Sequence, residues 1–185
     1  MKLILDLCSG TGGWSAPYRD NPSEYKVLSF DLPNDIRMVQ YEDIMRHGLP
    51  VHGILAGPPC TVFANSGARW SRSPEDMIEG LSVMDACLRM VTIFKPKFWA
   101  LENPIGKMKR FLGPAVMLFN PCDYGDPYTK KTLLWGDFKQ PTKTPVLATE
   151  GSKMHLNYGG KSARTKRERS KTLAGFAKAF FEANR

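Results

Sequence analysis

Leu3-Ile4-Leu5-Asp6-Leu7-Cys8-Ser9-Gly10-Thr11-Gly12-Gly13-Trp14 opens as an apolar run and breaks into a glycine-rich turn. The run suits a strand buried on both faces. The glycines let backbone approach a ligand closely where a helix begins and its N–H groups point outward. Working outward, Lys26 to Phe30, Gly53 to Ala56 and Phe98 to Leu101 read as further buried strands, alternating with amphipathic stretches. That alternation predicts an α/β fold with a mostly parallel sheet and helices on both faces.

The clearest helix lies between the third and fourth of these strands. Ser73 caps it, Pro74 suits its first turn, and Glu75 and Asp76 complement its dipole. Met77, Leu81, Met84, Leu88 and Val91 fall on one face, and the helix stops before Lys95-Pro96. Lys131 to Trp135 reads as a later strand. Thr172 onward reads as a last helix with Leu173, Phe176, Ala177 and Phe180 inward. Residues 136–170, rich in Pro, Gly, Lys and Thr, read as a loop or basic arm.

A chain of 185 residues suits one catalytic domain, 1–185. No apolar run is long enough for a bilayer, and Met1-Lys2-Leu3-Ile4-Leu5-Asp6 does not have the make-up of a signal peptide, so no membrane partner and a cytoplasmic location are expected. Cys8, Cys60, Cys87 and Cys122 form no Cys-x-x-Cys pair and the three histidines are not spaced as ligands, which argues against a metal site or a disulfide framework. A net charge of +8 favours a polyanionic partner, because each cation placed on a phosphate releases condensed counterions.

The second strand ends in Asp31, about twenty residues past the glycine turn, where an acid hydrogen-bonds ribose hydroxyls in dinucleotide-type sites. S-adenosyl-L-methionine fits the same geometry without phosphate, its methionine portion in the turn and its ribose on Asp31, with Asp43 beside the adenine. The plainer reading is a tight βα turn with solvated acids.

Gly57-Pro58-Pro59-Cys60 follows a buried strand directly, which sets the thiol at the carboxyl edge of a parallel sheet, where such folds bind ligands. A lone cysteine is more commonly a small buried hydrophobe, the class to which Cys8, Cys87 and Cys122 are assigned. The fourth strand runs into Leu101-Glu102-Asn103-Pro104, so a carboxyl group emerges at the same edge. A thiolate beside a carboxyl group is what addition to a pyrimidine ring requires. Addition of Cys60 to C6 of cytosine, with Glu102 on N3, makes C5 nucleophilic enough to take a methyl group from a sulfonium.

These blocks resemble the cytosine-C5 DNA methyltransferase family. Asp6 to Gly13 looks like its cofactor turn, Gly57 to Gly67 like its nucleophile loop, and Pro96 to Asn103 like its Pro-Lys-x-x-x-x-Glu-Asn segment. Asp123-Tyr124-Gly125-Asp126-Pro127 looks like the lead into its Gln-x-Arg-x-Arg motif. The resemblance covers the first three quarters of the chain and implies a Rossmann-like S-adenosylmethionine-dependent methyltransferase fold. It implies Cys60 as nucleophile, Glu102 as the acid on N3, Asn103 as its positioner and Lys130 as a base or phosphate contact. Asp6, Cys8, Gly10, Gly12, Gly13, Trp14, Asp31, Leu32, Asp43 and Pro58 would line the cofactor site. The final helix would return to flank it.

Three departures bear on that site. Cys8 stands where the family usually has Phe, leaving Trp14 or Leu32 to stack on adenine. Pro104 replaces a common Val. Tyr128-Thr129-Lys130-Lys131-Thr132 replaces Gln-x-Arg-x-Arg, so Lys130 stands for the first Arg as a charge, and Thr132 has no planar fork to stand for the second unless Lys131 turns inward.

For nucleic acid, Arg69, Trp70 and Arg72 are placed to clamp phosphates and fill the gap left by an extruded base, although Trp70 reads equally as core. Lys161, Arg164, Lys166 and Arg167 lie in a basic run that suits a phosphate-tracking arm or a solvated loop. Only about thirty-five residues separate the last motif from the last helix, a reduced recognition region of the kind expected in a small, phage-like member, which leaves room for a homo-oligomer or an accessory recognition partner. DNA is the expected substrate. RNA or single-stranded DNA remains the alternative, as does a methyltransferase-like protein that binds nucleic acid without turnover.

Overall fold

Leu3 to Leu7 are all buried, and their side chains part by a period of two. Leu3, Leu5 and Leu7 enter one core and Ile4 the other. The computed structural model, which describes residues 1–65, 71–153, 156 and 173–185, thus has this strand, β1 (Lys2–Leu7), as an interior strand of a sheet covered on both faces. The remaining strands are β2 (Tyr25–Phe30), β3 (Val51–Ala56), β4 (Phe98–Pro104), β5 (Met117–Phe119) and β6 (Thr132–Asp137), in the order β2-β1-β3-β4-β6-β5.

β1 pairs in parallel with β2 and β3, and β3 with β4, whereas β6 runs antiparallel to both β4 and β5. The chain leaves β1 toward β2 on one side and returns to β3 on the other, so the sheet order reverses at β1. A crevice opens at such a reversal, outside the carboxyl ends of the strands.

The expected helix is α3 (Pro74–Phe94), with a capping box in which Ser73 accepts from the Asp76 amide at 3.1 Å and Asp76 accepts from the Ser73 amide at 3.1 Å. Its most buried line runs through Gly80, Met84, Cys87 and Met90, while Met77, Leu81, Leu88 and Val91 pack half-buried beside it. The inward face is therefore turned slightly from the one the apolar spacing picks out. α3 covers one face of the sheet. On the other face, α1 (Ala16–Arg19) and the last helix, α5 (Ala174–Ala183), build an aromatic core in which Phe176 stacks on Phe119 at 4.1 Å and meets Trp14 at 5.8 Å. Each such ring buried contributes on the order of 2–3 kcal/mol.

Two further helices are short, α2 (Tyr41–Met45) and α4 (Lys109–Leu112). β4 runs three residues further than its apolar run suggests, because β6 continues to pair with Glu102, Asn103 and Pro104 after β3 has ended at Ala56. β5 carries no sequence signature. Three residues between Pro114 and Pro121 are too few to show a period. Residues 138–153 lack strands and long helices, and part of the segment is strapped along the chain before β6: the Thr144 amide donates to Asp123 O at 2.9 Å and the Val146 amide to Cys122 O at 2.8 Å.

Candidate active site

The turn after β1 is tied together by bonds from its own helix and from the tip of β2. Cys8, Gly10 and Gly12 take positive φ values of 57°, 53° and 67°. This region strains residues with a Cβ, which explains two of the glycines. Asp31, at the tip of β2, accepts from the Gly10 amide at 2.8 Å and the Leu32 amide at 2.9 Å. Its carboxylate keeps lone pairs for further donors. Leu32 beside it is 77% exposed, an apolar surface at the mouth of the turn.

Asp6 lies beneath, accepting from the Ser15 hydroxyl, with the Arg19 guanidinium 4.0 Å away. Burial pushes its carboxyl up to about 6, against the pull of Ser15 and Arg19 toward the ionised form. Arg19 also donates to the carbonyl of Gly12, bracing the turn from outside. Ser15 and Arg19 were not singled out from the sequence. Their spacing of four on one helix face was the available signal.

Three expected cofactor residues have other contacts. Trp14 is 5% exposed and its ring packs on Phe176 and Phe180, which corrects the expectation that it could stack on adenine and leaves Leu32 as the exposed side chain there. The Cys8 side chain is hydrogen-bonded to Cys87 on α3, which together with burial keeps the Cys87 thiol protonated. Asp43 accepts from the Gln40 amide at 3.0 Å and lies 3.7 Å from Arg46, closing the capping box of α2.

At the tips of β3 and β4 the contacts are long-range. Pro58 and Pro59 lack N–H donors and end β3, after which Cys60 is exposed. The Cys60 carbonyl accepts from the Phe63 and Ala64 amides at 3.0 and 2.8 Å, curling the loop. Asn103 is fully buried, and its Nδ2 donates to the Pro58 carbonyl at 3.0 Å, fastening the proline pair to β4. Asn103 thus holds the thiol's approach, a contact of its own beyond positioning Glu102. Its Oδ1 is buried with no hydrogen-bond partner among the described residues. A buried acceptor left so costs about 1–3 kcal/mol, a reason for it to receive a donor from solvent or substrate.

A second clamp holds residues 63–65 against 105–107. The Asn65 amide donates to Ile105 O at 2.9 Å and the Lys107 amide to Phe63 O at 2.7 Å. Gly106 permits this, since a Cβ there would fall 1.9 Å from the Phe63 carbonyl oxygen. Arg72 donates to the Thr61 carbonyl at 2.7 Å. That contact gives it a place in the loop's support, where the sequence suggested a phosphate clamp.

Glu102 is half-buried at the same edge. Burial pushes its carboxyl above the ordinary range, and the Lys130 charge acts against that rise. Lys130 reaches this edge because β6 is antiparallel, so that its first residue, Thr132, pairs with Pro104. Thr132 is buried and its hydroxyl donates to the Lys130 carbonyl at 2.9 Å. Lys131 is exposed, which corrects the option that it turns inward. Arg69, Trp70, Lys161, Arg164, Lys166 and Arg167 lie outside the described residues.

A six-stranded α/β sheet with its candidate groups at the carboxyl edge is a Rossmann-like fold, and its structural neighbours are methyltransferases. One, a candidate DNA modification methyltransferase encoded within an E. coli prophage, superposes with a TM-score of 0.57 at 18% identity over 80% of this chain and 53% of that one. Another, the methyltransferase EhMeth of Entamoeba histolytica, gives 0.49 at 14% identity over 88% and 61%. In sequence, the chain is 27% identical over 193 residues to the type II methyltransferase M.DdeI of Desulfomicrobium norvegicum, covering 84% of this chain and 45% of that protein. The chain therefore spans less than half the length of this curated relative. No protein-family model matches it. No helix among the described residues is long and apolar enough to cross a membrane.

Proposed function

We propose that this chain is the catalytic unit of a DNA cytosine-C5 methyltransferase. The observation that carries the reading is the placement of an exposed thiol and a carboxyl group, whose pKa burial raises, just past the ends of the neighbouring strands β3 and β4, with Asn103 bonded across to the Pro58 carbonyl. Similarity to a type II methyltransferase supports a DNA substrate.

The turn fits S-adenosylmethionine: open backbone at Gly10, an Asp31 carboxylate with lone pairs to spare, and exposed Leu32 beside it. Asp6, Cys8, Gly10, Gly12, Gly13, Asp31, Leu32 and Pro58 would hold the cofactor, with the backbone contributing from Trp14 and with Asp43 beside the adenine. When bound, it supplies the electrophilic methyl group that C5 of cytosine takes up.

The protein's own part is to make that carbon reactive. The base must leave the stack, since neither face of the ring is open within it. The Cys60 thiolate forms a bond to C6, the C5–C6 π electrons gain enamine character, and Glu102 gives its proton to N3 so that no negative charge accumulates on the ring. Burial, which raises the Glu102 pKa, favours this donation, and the Lys130 charge acts against that rise. After C5 releases its proton to solvent, the C6–sulfur bond breaks, the C5–C6 double bond re-forms, Cys60 leaves as thiolate, and N3 returns its proton to Glu102. In this reading residues 136–170 are the reduced recognition region, and Arg69, Trp70, Lys161, Arg164, Lys166 and Arg167 belong to the nucleic-acid surface.

Incubation with S-adenosylmethionine and a duplex containing 5-fluorocytosine tests this directly, because fluorine blocks loss of the C5 substituent and traps the covalent species. A Cys60-dependent adduct on a denaturing gel is expected. Its absence sinks the proposal, and an adduct formed only with single strand or RNA moves the substrate to that class.

A further inference from the structure

Beside the nucleophile loop stands a basic segment to which the sequence reading gave no role. From Asn103 to Cys122 the chain contains Lys107, Lys109 and Arg110 and no acidic residue. Lys109 and Arg110 are exposed on α4, which begins three residues past Gly106, whose partner Ala64 lies six residues after Pro58.

The platform under these charges is built. Met108 is fully buried, Lys107 is bonded through its amide to Phe63, and the Trp135 indole donates to the Gly113 carbonyl at 3.0 Å to fix the far end of α4. Phe111, 45% exposed, packs edge-on against Phe63 and presents an apolar face beside the cations. Elsewhere several surface cations are neutralised: Arg37 by Asp35 and Glu79, Arg46 by Asp43, Lys143 by Asp123 and Lys153 by Glu150. Lys109 and Arg110 have no such carboxylate among the described residues.

From this we infer that Lys109 and Arg110, with Phe111 between them and the loop, bind the phosphate backbone of the nucleic-acid strand whose base enters the site. The inference rests on the function proposed above and assigns it a docking surface. Two side chains on a rigid platform hold the strand by charge, and the ring beside them covers the apolar face of a sugar or a neighbouring base. The contact carries no sequence information and sets only where along the backbone the extruded base falls.

The test measures affinity for a labelled cytosine-containing duplex across a salt series in Lys109→Gln/Arg110→Gln, beside a control, Lys95→Gln/Lys178→Gln, that removes the same charge at exposed positions remote from this segment. Two lost phosphate contacts lower the slope of log affinity against log salt by about two, and weaken binding roughly tenfold or more at low salt. Phe111→Ala weakens binding with the slope unchanged. Should the double variant match the control, the inference is overturned, even where the Cys60 adduct still forms with 5-fluorocytosine duplex. If the slope falls as expected but wild type forms no adduct, the docking surface stands and the proposed chemistry is what fails. A wild type without salt-dependent binding overturns the docking surface as well.

Discussion

The tips of β1 and β2 and the tips of β3 and β4 are neighbours along one edge, yet they are held by different means. At the first pair, Asp6 with Ser15, Ser15 with Arg19, and Asp31 with Gly10 and Leu32 are contacts within or just beyond a single βαβ unit. At the second pair the supports come from far along the chain: Asn103 holds Pro58, residues 105–107 hold residues 63–65, and β6 brings Lys130 to Glu102. A turn built from contacts within about one βαβ unit needs only that unit in place. A reaction centre built from distant ones exists only once the sheet is assembled, so damage to it need not disturb the other half.

The sharpest separation of the two halves is Cys60→Ala, expected to lower methyl transfer by roughly 10⁴-fold or more while cofactor affinity by calorimetry stays unchanged. A matching loss of cofactor binding would break the comparison. Glu102→Gln should cost about 10²–10³-fold in kcat. Because Lys130 acts against the raised carboxyl, Lys130→Gln should let it rise further and move the alkaline fall of the pH–rate profile to higher pH. A shift to lower pH would contradict the assignment.

Gly106→Ala should destabilise the protein by about 3 kcal/mol in thermal unfolding, since its Cβ meets the Phe63 carbonyl, and should slow adduct formation more than it weakens cofactor binding. On the cofactor side, the Asp6 carboxyl sits at about 6 when folded against an ordinary 3.8, so the folded state holds a proton that the unfolded chain releases. Stability should therefore fall as pH rises from about 4 to 6, by on the order of 2–3 kcal/mol, in wild type and not in Asp6→Asn. The smallest effect is expected from Arg72→Gln, about tenfold in kcat through a loosened Thr61 carbonyl, with the salt dependence of DNA binding unchanged. A lower salt slope would return Arg72 to the role of a phosphate contact.

How far each residue could be read follows the same division. Asp31 and Glu102 stand at strand ends and so were legible from the apolar runs before them. The long helix was legible from its cap and spacing. Trp14 was misread as a stacking surface because its burial depends on Phe176 and Phe180, more than 160 positions away. The Gly106 clamp and the Cys8–Cys87 hydrogen bond leave no periodic trace, since each joins segments that only the assembled sheet brings together.

Local chemistry in the sequence determined the parallel strands, the glycine turn, and the thiol and carboxyl at one edge, because apolar periodicity, proline and glycine act within a few residues of themselves. Tertiary structure alone decided that β6 runs antiparallel, that Lys130 therefore faces Glu102, that Asn103 secures the proline pair, and that Lys109 and Arg110 flank the loop. The physical reason is that strand direction and order are settled by which faces bury together across the assembled sheet, and no window of sequence contains both partners.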